Sequence, residues 1–434
     1  MSILIRDASF VLTNGKGILK GYDIFIEEDK ISEIGKNLKR SAEFVVDGRK
    51  KIVMPGLINS HTHVSMTLLR GLADDLPLMD WLKNHIWPTE QRLTAKDVYQ
   101  GALLGCLEMI ESGTTCFGDM YFFADEVGKA VKLSGIRSLV NSVVIDLLPE
   151  NVAGLRVLAE TLKKIRQLNC SRVTPWLCPH SPYGCSEETL RRVKEISRKE
   201  KLRINIHLSE TKSEIEEIKK KHGKSPVEFL SEIEFLDSDV TAAHCVHLTD
   251  KEMKILKERD VKVVHNPVSN MKTASGVAPI PEMLEKKICV ALGTDGAASN
   301  NCLDMFQEMK FAALLHKINK LNPTVIPAEV VLGFATVNGA RALGLENQIG
   351  AIETGKKADI IILNIKKPNL TPILSNHSVA SHLVYSATGN DVETSIVDGK
   401  IIMENRKVLT LDEEDVMEKA QEAAEDLQNR SKPL

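Results

Sequence analysis

Eight apolar, β-rich segments run through the middle of this chain: IVMPGLINSHTH, TTCFGD, RSLVNSVV, VTPWLCPH, RINIHLSE, VTAAHCVH, VKVVHNPVS and ICVALGTDG. Helical stretches at 95–111, 124–134, 187–200 and 213–221 separate several of them. Neighbouring parallel strands need long, usually helical crossovers. Eight such units therefore predict an α/β fold, a (β/α)8 barrel of the TIM type. The chain has 434 residues, well beyond the about 250 that such a barrel needs.

The surplus lies at both ends. ILIRDASFVLT, YDIFIEE and EFVVDG, broken at NGKG and EEDK, read as short strands and turns. KKADIIILNI and TSIVDGKIIMENRKVL, with a turn at Asp398-Gly399, read as hairpins. Residues 1–54 and 350–410 are expected to form one small composite β-sandwich beside a catalytic barrel at 55–349. Residues 411–434 read as a C-terminal helix, with acids in its first turn and Val416, Ala420, Ala423 and Leu427 at helical spacing.

Formal net charge is -3, so neither nucleic acid nor an anionic membrane is expected as a partner. Arg6 and Asp7 come too early for a signal peptide. No apolar run approaches the about 18 residues of a membrane span. A cytoplasmic location is expected. None of the eight cysteines forms a C-x-x-C pair, so they read as small core residues of a reduced protein.

The strand ends carry the chemistry. The first segment ends in His61-Thr62-His63, the fourth in His180, the fifth in His207, the sixth in His244, the seventh in His265 and the eighth in Asp295. A barrel places its active site at that end of its strands. His61 and His63 have strand spacing, so both imidazoles share a face. With His207 and Asp295 they offer three nitrogens and one carboxylate oxygen, a set that suits one divalent ion, zinc first and iron second. Such an ion lowers the pKa of water toward about 7. Asp295 has a second oxygen to take the water proton, and His244 stands at the right end of its strand to orient that water. His247, three residues on, is expected to face away. Glu210 follows His207 by three, so the strand must end near Ser209 and curl for Glu210 to enter the site as a proton-shuttling acid.

MPGLINSHTH, PHSPYGCSEE, INIHLSET, AAHCVHL, HNPVSNMKTASGVAPI and LGTDGAASNNCLDMF together resemble the amidohydrolase superfamily, and within it the S-adenosylhomocysteine/methylthioadenosine deaminases. Archaeal members acting on 5′-deoxyadenosine are the nearest in pattern. The resemblance spans nearly the whole chain. It implies a single metal on His61, His63, His207 and Asp295, with Glu210 protonating purine N1, Asp295 accepting the water proton and His244 positioning the nucleophile. The C6 amine leaves as ammonia and an inosine analogue forms. By position, Glu90 in HIWPTEQRL is expected on the ribose hydroxyls, His180 on the purine N3 edge and Ser299 near N7. Trp81 and Trp87 read equally as pocket walls and as core.

One departure bears on substrate. Where some relatives carry an arginine on strand three for the homocysteine carboxylate, this chain has Ser142. A second family arginine falls at Arg156. Without a cationic clamp the charged tail loses a contact, so 5′-deoxyadenosine, 5′-methylthioadenosine and adenosine are expected alongside S-adenosylhomocysteine. The expected partners are this small-molecule nucleoside and further copies of the chain. The alternative is another deaminase or dechlorinase of the superfamily, acting on guanine, 8-oxoguanine or a triazine. A binuclear cyclic amidase needs a lysine on strand four, which VTPWLCPH lacks. A cytidine-deaminase site needs H-x-E and C-x-x-C, and neither occurs.

Overall fold

The computed structural model describes residues 1–13, 17–76 and 78–431. Asn14 to Lys16 of the expected NGKG turn and the last three residues of the expected C-terminal helix segment lie outside them. Eight strand positions follow in order: Leu57–Thr62, Thr114–Tyr121, Arg137–Val144, Val173–Pro175 continued by Cys178–Pro179, Ile204–Leu208, Val240–His244, Lys262–His265 and Val290–Leu292. Each pairs in parallel with its neighbour in chain order, in one group of strands one to four and one of strands five to eight.

Backbone hydrogen bonds join the two groups at both seams. Asn205 N–H donates to Leu177 O (2.8 Å) and His207 N–H to His180 O (2.9 Å). On the other side Asp295 N–H donates to His61 O (3.0 Å). The strands are buried along most of their length, as runs such as RSLVNSVV and INIHL require.

The segment IVMPGLINSHTH is not one strand. Lys51–Pro55 belongs to a terminal sheet, and Leu57–Thr62 starts the parallel set. Gly56 makes the hand-over possible, since a Cβ there would sit 2.0 Å from Thr115 Oγ1. Gly118 serves the interior in the same way. It leaves room for the fully buried Trp176, whose ring would come within 2.5 Å of a Cβ at that position.

Both ends of the chain share a seven-stranded sheet. Phe10–Thr13, Gly17–Leu19 and Lys51–Pro55 pair with the C-terminal strands through Lys51–Pro55 against Ile360–Asn364. A four-stranded sheet built on Ser2–Ala8 and Tyr22–Glu27 packs against it through a shared aliphatic cluster that includes Ile3, Ile24, Ile26, Val53, Ile360 and Ile362. The helix Glu413–Ser431 buries Val416, Ala420, Ala423 and Leu427, the stripe its sequence spacing predicts. Arg430 at its end donates to Asp97 Oδ2 (2.8 Å). All eight cysteines are unpaired. Among the described residues no helix is long and apolar enough to cross a membrane.

Candidate active site

Polar residues gather where the parallel strands end. Four positions there have left-handed backbones: His244 (φ 72°), Cys245 (φ 49°), Asp295 (φ 63°) and Ser209 (φ 53°). For non-glycine residues this costs about 1–3 kcal/mol each and persists only where surrounding contacts impose it. Ser209 ends strand five, which is the curl that Glu210 requires.

His61, His207, His244 and Asp295 each offer a ligand atom within 4.8 Å of the others. His63 joins them, its Nε2 lying 3.2 Å from His207 Nε2 and 3.2 Å from Asp295 Oδ1. His61 Nε2 is 3.5 Å from that same oxygen. The opposite ring nitrogens show which tautomer each histidine holds. Nδ1–H donates from His61 to Asn205 Oδ1 (2.9 Å), from His63 to Met120 O (2.5 Å), from His207 to His180 O (2.8 Å) and from His244 to Asn270 Oδ1 (2.9 Å). Each Nε2 is thereby left with a lone pair, and all four face one small volume. Among the described residues, the buried His61 Nε2 has no hydrogen-bond partner. A proton on one ring would relieve one close pair only. A cation among them would relieve the close pairs together, so the residues fit the zinc or iron expected from sequence.

Asp295 differs from expectation in one respect. Its second oxygen is not free: Oδ2 accepts from Ser269 Oγ (2.6 Å) and Ser299 Oγ (3.1 Å), and those two hydroxyls lie 3.0 Å apart. Glu210 is held by Ser275, whose Oγ donates to Oε1 (3.1 Å), and its Oε2 lies 3.8 Å from His244 Nε2. Burial raises the Glu210 pKa and so favours the protonated acid.

His63, His207, His244 and Asp295 line one cavity together with His180, Glu210, Glu90 and Ser299. Burial drives the His180 imidazole down to about 3, with the neighbouring His63 and His61 adding to the effect, so it is neutral. Glu90 is pushed up to about 7 by burial. It arrives on the segment after strand one, where Trp81 and Trp87 also reach the cavity wall. Both tryptophans are pocket residues.

Other candidates are elsewhere. Arg156 does not line the cavity; its side chain is 81% exposed and pairs with Glu160 at 3.0 Å. Helix geometry puts that partner one turn along the same face. Ser142 points to the helix Leu155–Gln167, its Oγ donating to Thr161 Oγ1 (3.0 Å), while Val143 faces the cavity. Alternation along a strand is the reason. His265 pairs with His316 (3.1 Å) away from the cavity. His247 bonds Ser275 O (2.8 Å) and, as expected, faces away.

The sequence reading did not single out Ser269, Ser275, Tyr121 or Glu214. The first two lie inside HNPVSNMKTASGVAPI, which carried a motif signal but no individual role. Tyr121 lines the cavity with a buried hydroxyl directed at Glu90. Glu214 accepts backbone hydrogen bonds beside Glu210.

Comparison with known proteins places this arrangement. The amidohydrolase family matches residues 52–402. A 5′-deoxyadenosine deaminase of Methanosarcina mazei is 51% identical over 430 residues, covering 98% of each chain. A 5-methylthioadenosine/S-adenosylhomocysteine deaminase of Thermococcus sibiricus is 51% identical over 406 residues, covering 93% of this chain and 94% of its own. The crystal structure of an adenosine deaminase from Xanthomonas campestris with bound zinc superposes with a TM-score of 0.94 at 32% identity, covering 98% of both chains. With the family matched from the first strand of the site to beyond the last, the chain belongs to the amidohydrolase family.

Proposed function

We propose that this chain hydrolyses the C6 amine of adenosine-type nucleosides (5′-deoxyadenosine, 5′-methylthioadenosine, S-adenosylhomocysteine and adenosine) to the inosine analogue and ammonia. One observation carries the reading: four imidazole lone pairs and a carboxylate converge beside a cavity that a buried acid, Glu210, and a second acid, Glu90, also line. The names of relatives at 51% identity over nearly the whole chain agree with it.

In this reading His61, His63, His207 and Asp295 hold one divalent ion, with zinc the best fit and iron second. When bound, that ion supplies the Lewis acidity that makes water nucleophilic near neutral pH. Asp295 takes the water proton, and the Ser269 and Ser299 hydroxyls beside its Oδ2 can rotate from donating to accepting. His244, facing Glu210 across 3.8 Å, orients the water. Attack at C6 breaks ring aromaticity and places charge on N1, where Glu210 delivers its proton. The proton held by Asp295 then passes to the C6 amine, the C6–N bond breaks to release ammonia, and the new C6 hydroxyl returns a proton to Glu210 as the carbonyl forms. Neutral His180 and Ser299 lie where the purine edges would be, and Glu90 accepts from the ribose hydroxyls. Ser299 thus divides its hydroxyl between Asp295 and the base.

The cavity wall on strand three is apolar at Val143 and Ile145, and Arg156 lies outside it. Both support small 5′-groups, and neither gives the charged homocysteine tail a charge-assisted contact. The architecture is part of the same proposal: the eight strands close as a TIM-type barrel at 55–349, residues 1–54 and 350–410 form the composite sandwich, and Glu413–Ser431 is the C-terminal helix. Bonds at both seams and the sheet shared by the two ends support it. Self-association also belongs to it, supported by Phe311, Leu314 and Ile318 exposed on one helix.

The deciding experiment is ammonia release by the zinc-loaded protein from adenosine, 5′-methylthioadenosine and 5′-deoxyadenosine, with guanine and a triazine alongside. Turnover of the free base or triazine alone would favour the alternative deaminase or dechlorinase; equal failure on all nucleosides would sink the proposal. His207→Ala is expected to lose metal and activity together, removing several kcal/mol of transition-state stabilisation, or roughly 10³-fold in rate. Metal analysis beside the kinetics checks it, and a variant with full metal content contradicts the ligand role. Glu90→Ala is expected to raise KM for ribosides by about 10- to 100-fold, from the worth of hydrogen bonds to a charged group, with kcat little changed. An unchanged KM would remove Glu90 from the ribose.

A further inference from the structure

Thr211-x-x-Glu214 has the sequence of a helix capping box, in which the glutamate reaches back to the amide of the threonine. Half of that box forms. Thr211 Oγ1 accepts from Glu214 N–H (3.2 Å) at the start of the helix Lys212–His222. The carboxylate goes further back. Oε1 accepts from Ser209 N–H (2.8 Å) and Oε2 from Glu210 N–H (2.8 Å). Glu214 is 3% exposed, and Ser209 is fully buried in its left-handed conformation. The other side of Ser209 is also held: its carbonyl accepts from Val246 N–H (3.0 Å) and His247 N–H (2.9 Å), just beyond His244.

We infer that Glu214 is a positioning residue for Glu210: its carboxylate clamps the two successive amides where strand five breaks, and so fixes the site at which the acid donates its proton. This rests on the reading of Glu210 as the N1 proton donor. The physical case is one of satisfaction and reach. A carboxyl buried this deeply needs strong partners, and two adjacent amides pointing the same way form a small anion-binding concavity. The capping role alone would be met by the Thr211 amide. Bridging Ser209 and Glu210 instead holds a strained turn that no strand pairing supports. Ser275 then fixes the far end of the Glu210 side chain, so both ends of the acid are tied.

The test uses the full-length zinc-loaded protein, with Glu214→Gln and Glu214→Asp. Glutamine keeps the shape but offers only one acceptor oxygen; aspartate keeps the charge and falls a methylene short. Each is expected to lower kcat on 5′-deoxyadenosine by about 10²-fold, the scale of a 1 Å misplacement of a reacting group, with KM and zinc content unchanged. Amide exchange reads the clamp directly. Ser209 and Glu210 N–H of the wild type should exchange as slowly as the amides of Ile204–Leu208, and lose that protection in Glu214→Gln. Full kcat in both variants, or a loss that only tracks lost zinc or lost folded protein, overturns the inference. So does fast exchange at Ser209 and Glu210 in the wild type, a measurement that needs no variant to fold. Failure of the wild type to release ammonia from any nucleoside strikes the deaminase reading instead, and the exchange data still report on the clamp.

Discussion

Glu210→Gln is expected to keep its metal and lose about 10²–10⁴-fold in kcat, the range of a positioned general acid. The amide keeps the shape and the Ser275 contact but has no proton to give. Glu210 is outside the proposed ligand set, so zinc content should match the wild type. The wild-type pH profile provides a second check. Burial raises the Glu210 pKa, and only the protonated carboxyl donates, so kcat should fall as pH climbs past that raised value. In Glu210→Gln this limb should vanish from whatever activity remains. Near-normal turnover by the variant would refute the acid role.

Arg137→Met is expected to cost about 3–5 kcal/mol of stability, the penalty for removing one partner from a buried ion pair. Arg137 opens strand three at the end away from the site and is 3% exposed. Its guanidinium bonds Asp359 through Nε (2.8 Å) and Nη2 (3.1 Å), and reaches Asp398 (3.0 Å). Asp359 directly precedes a strand of the shared terminal sheet and Asp398 sits in its hairpin turn. The arginine therefore fastens the parallel strands to that sheet. Without it, the buried Asp359 loses its two-nitrogen fork, and the half-buried Asp398 keeps Lys357 as its cationic partner among the described residues. Urea unfolding of the metal-loaded protein measures the loss. Arg137→Lys should recover part of it, since the charge returns without the bidentate geometry. A midpoint unchanged in Arg137→Met would show that this pairing does not hold the two parts together.

Much of the site could be read from sequence because its residues sit at positions fixed by strand periodicity. His61, His63, His207, His244 and Asp295 fall at or just past strand ends, and the chain brings those ends together. The helix stripe Val416, Ala420, Ala423 and Leu427 was legible for the same reason, a 3.6-residue period against a buried face. Ser142 shows where that legibility ends. A one-residue offset on a strand reverses the face, so Val143 lines the cavity while Ser142 meets Thr161. Arg156 fails differently: a helix position does not tell whether a long side chain turns to the cavity or to Glu160 one turn along.

The sequence alone determined the eight parallel strands, the end at which their chemistry gathers, and the histidines and aspartate that gather there. These follow from local periodicity and crossover length, which act over a few residues. Only the tertiary structure decided that Glu214 abandons half a capping box for the amides of Ser209 and Glu210, and that two serines occupy the second oxygen of Asp295. It also gave Trp81 and Trp87 a cavity wall to form. Such choices depend on which buried polar groups lack partners once the strands are assembled, and that is settled by contacts between segments far apart in the chain.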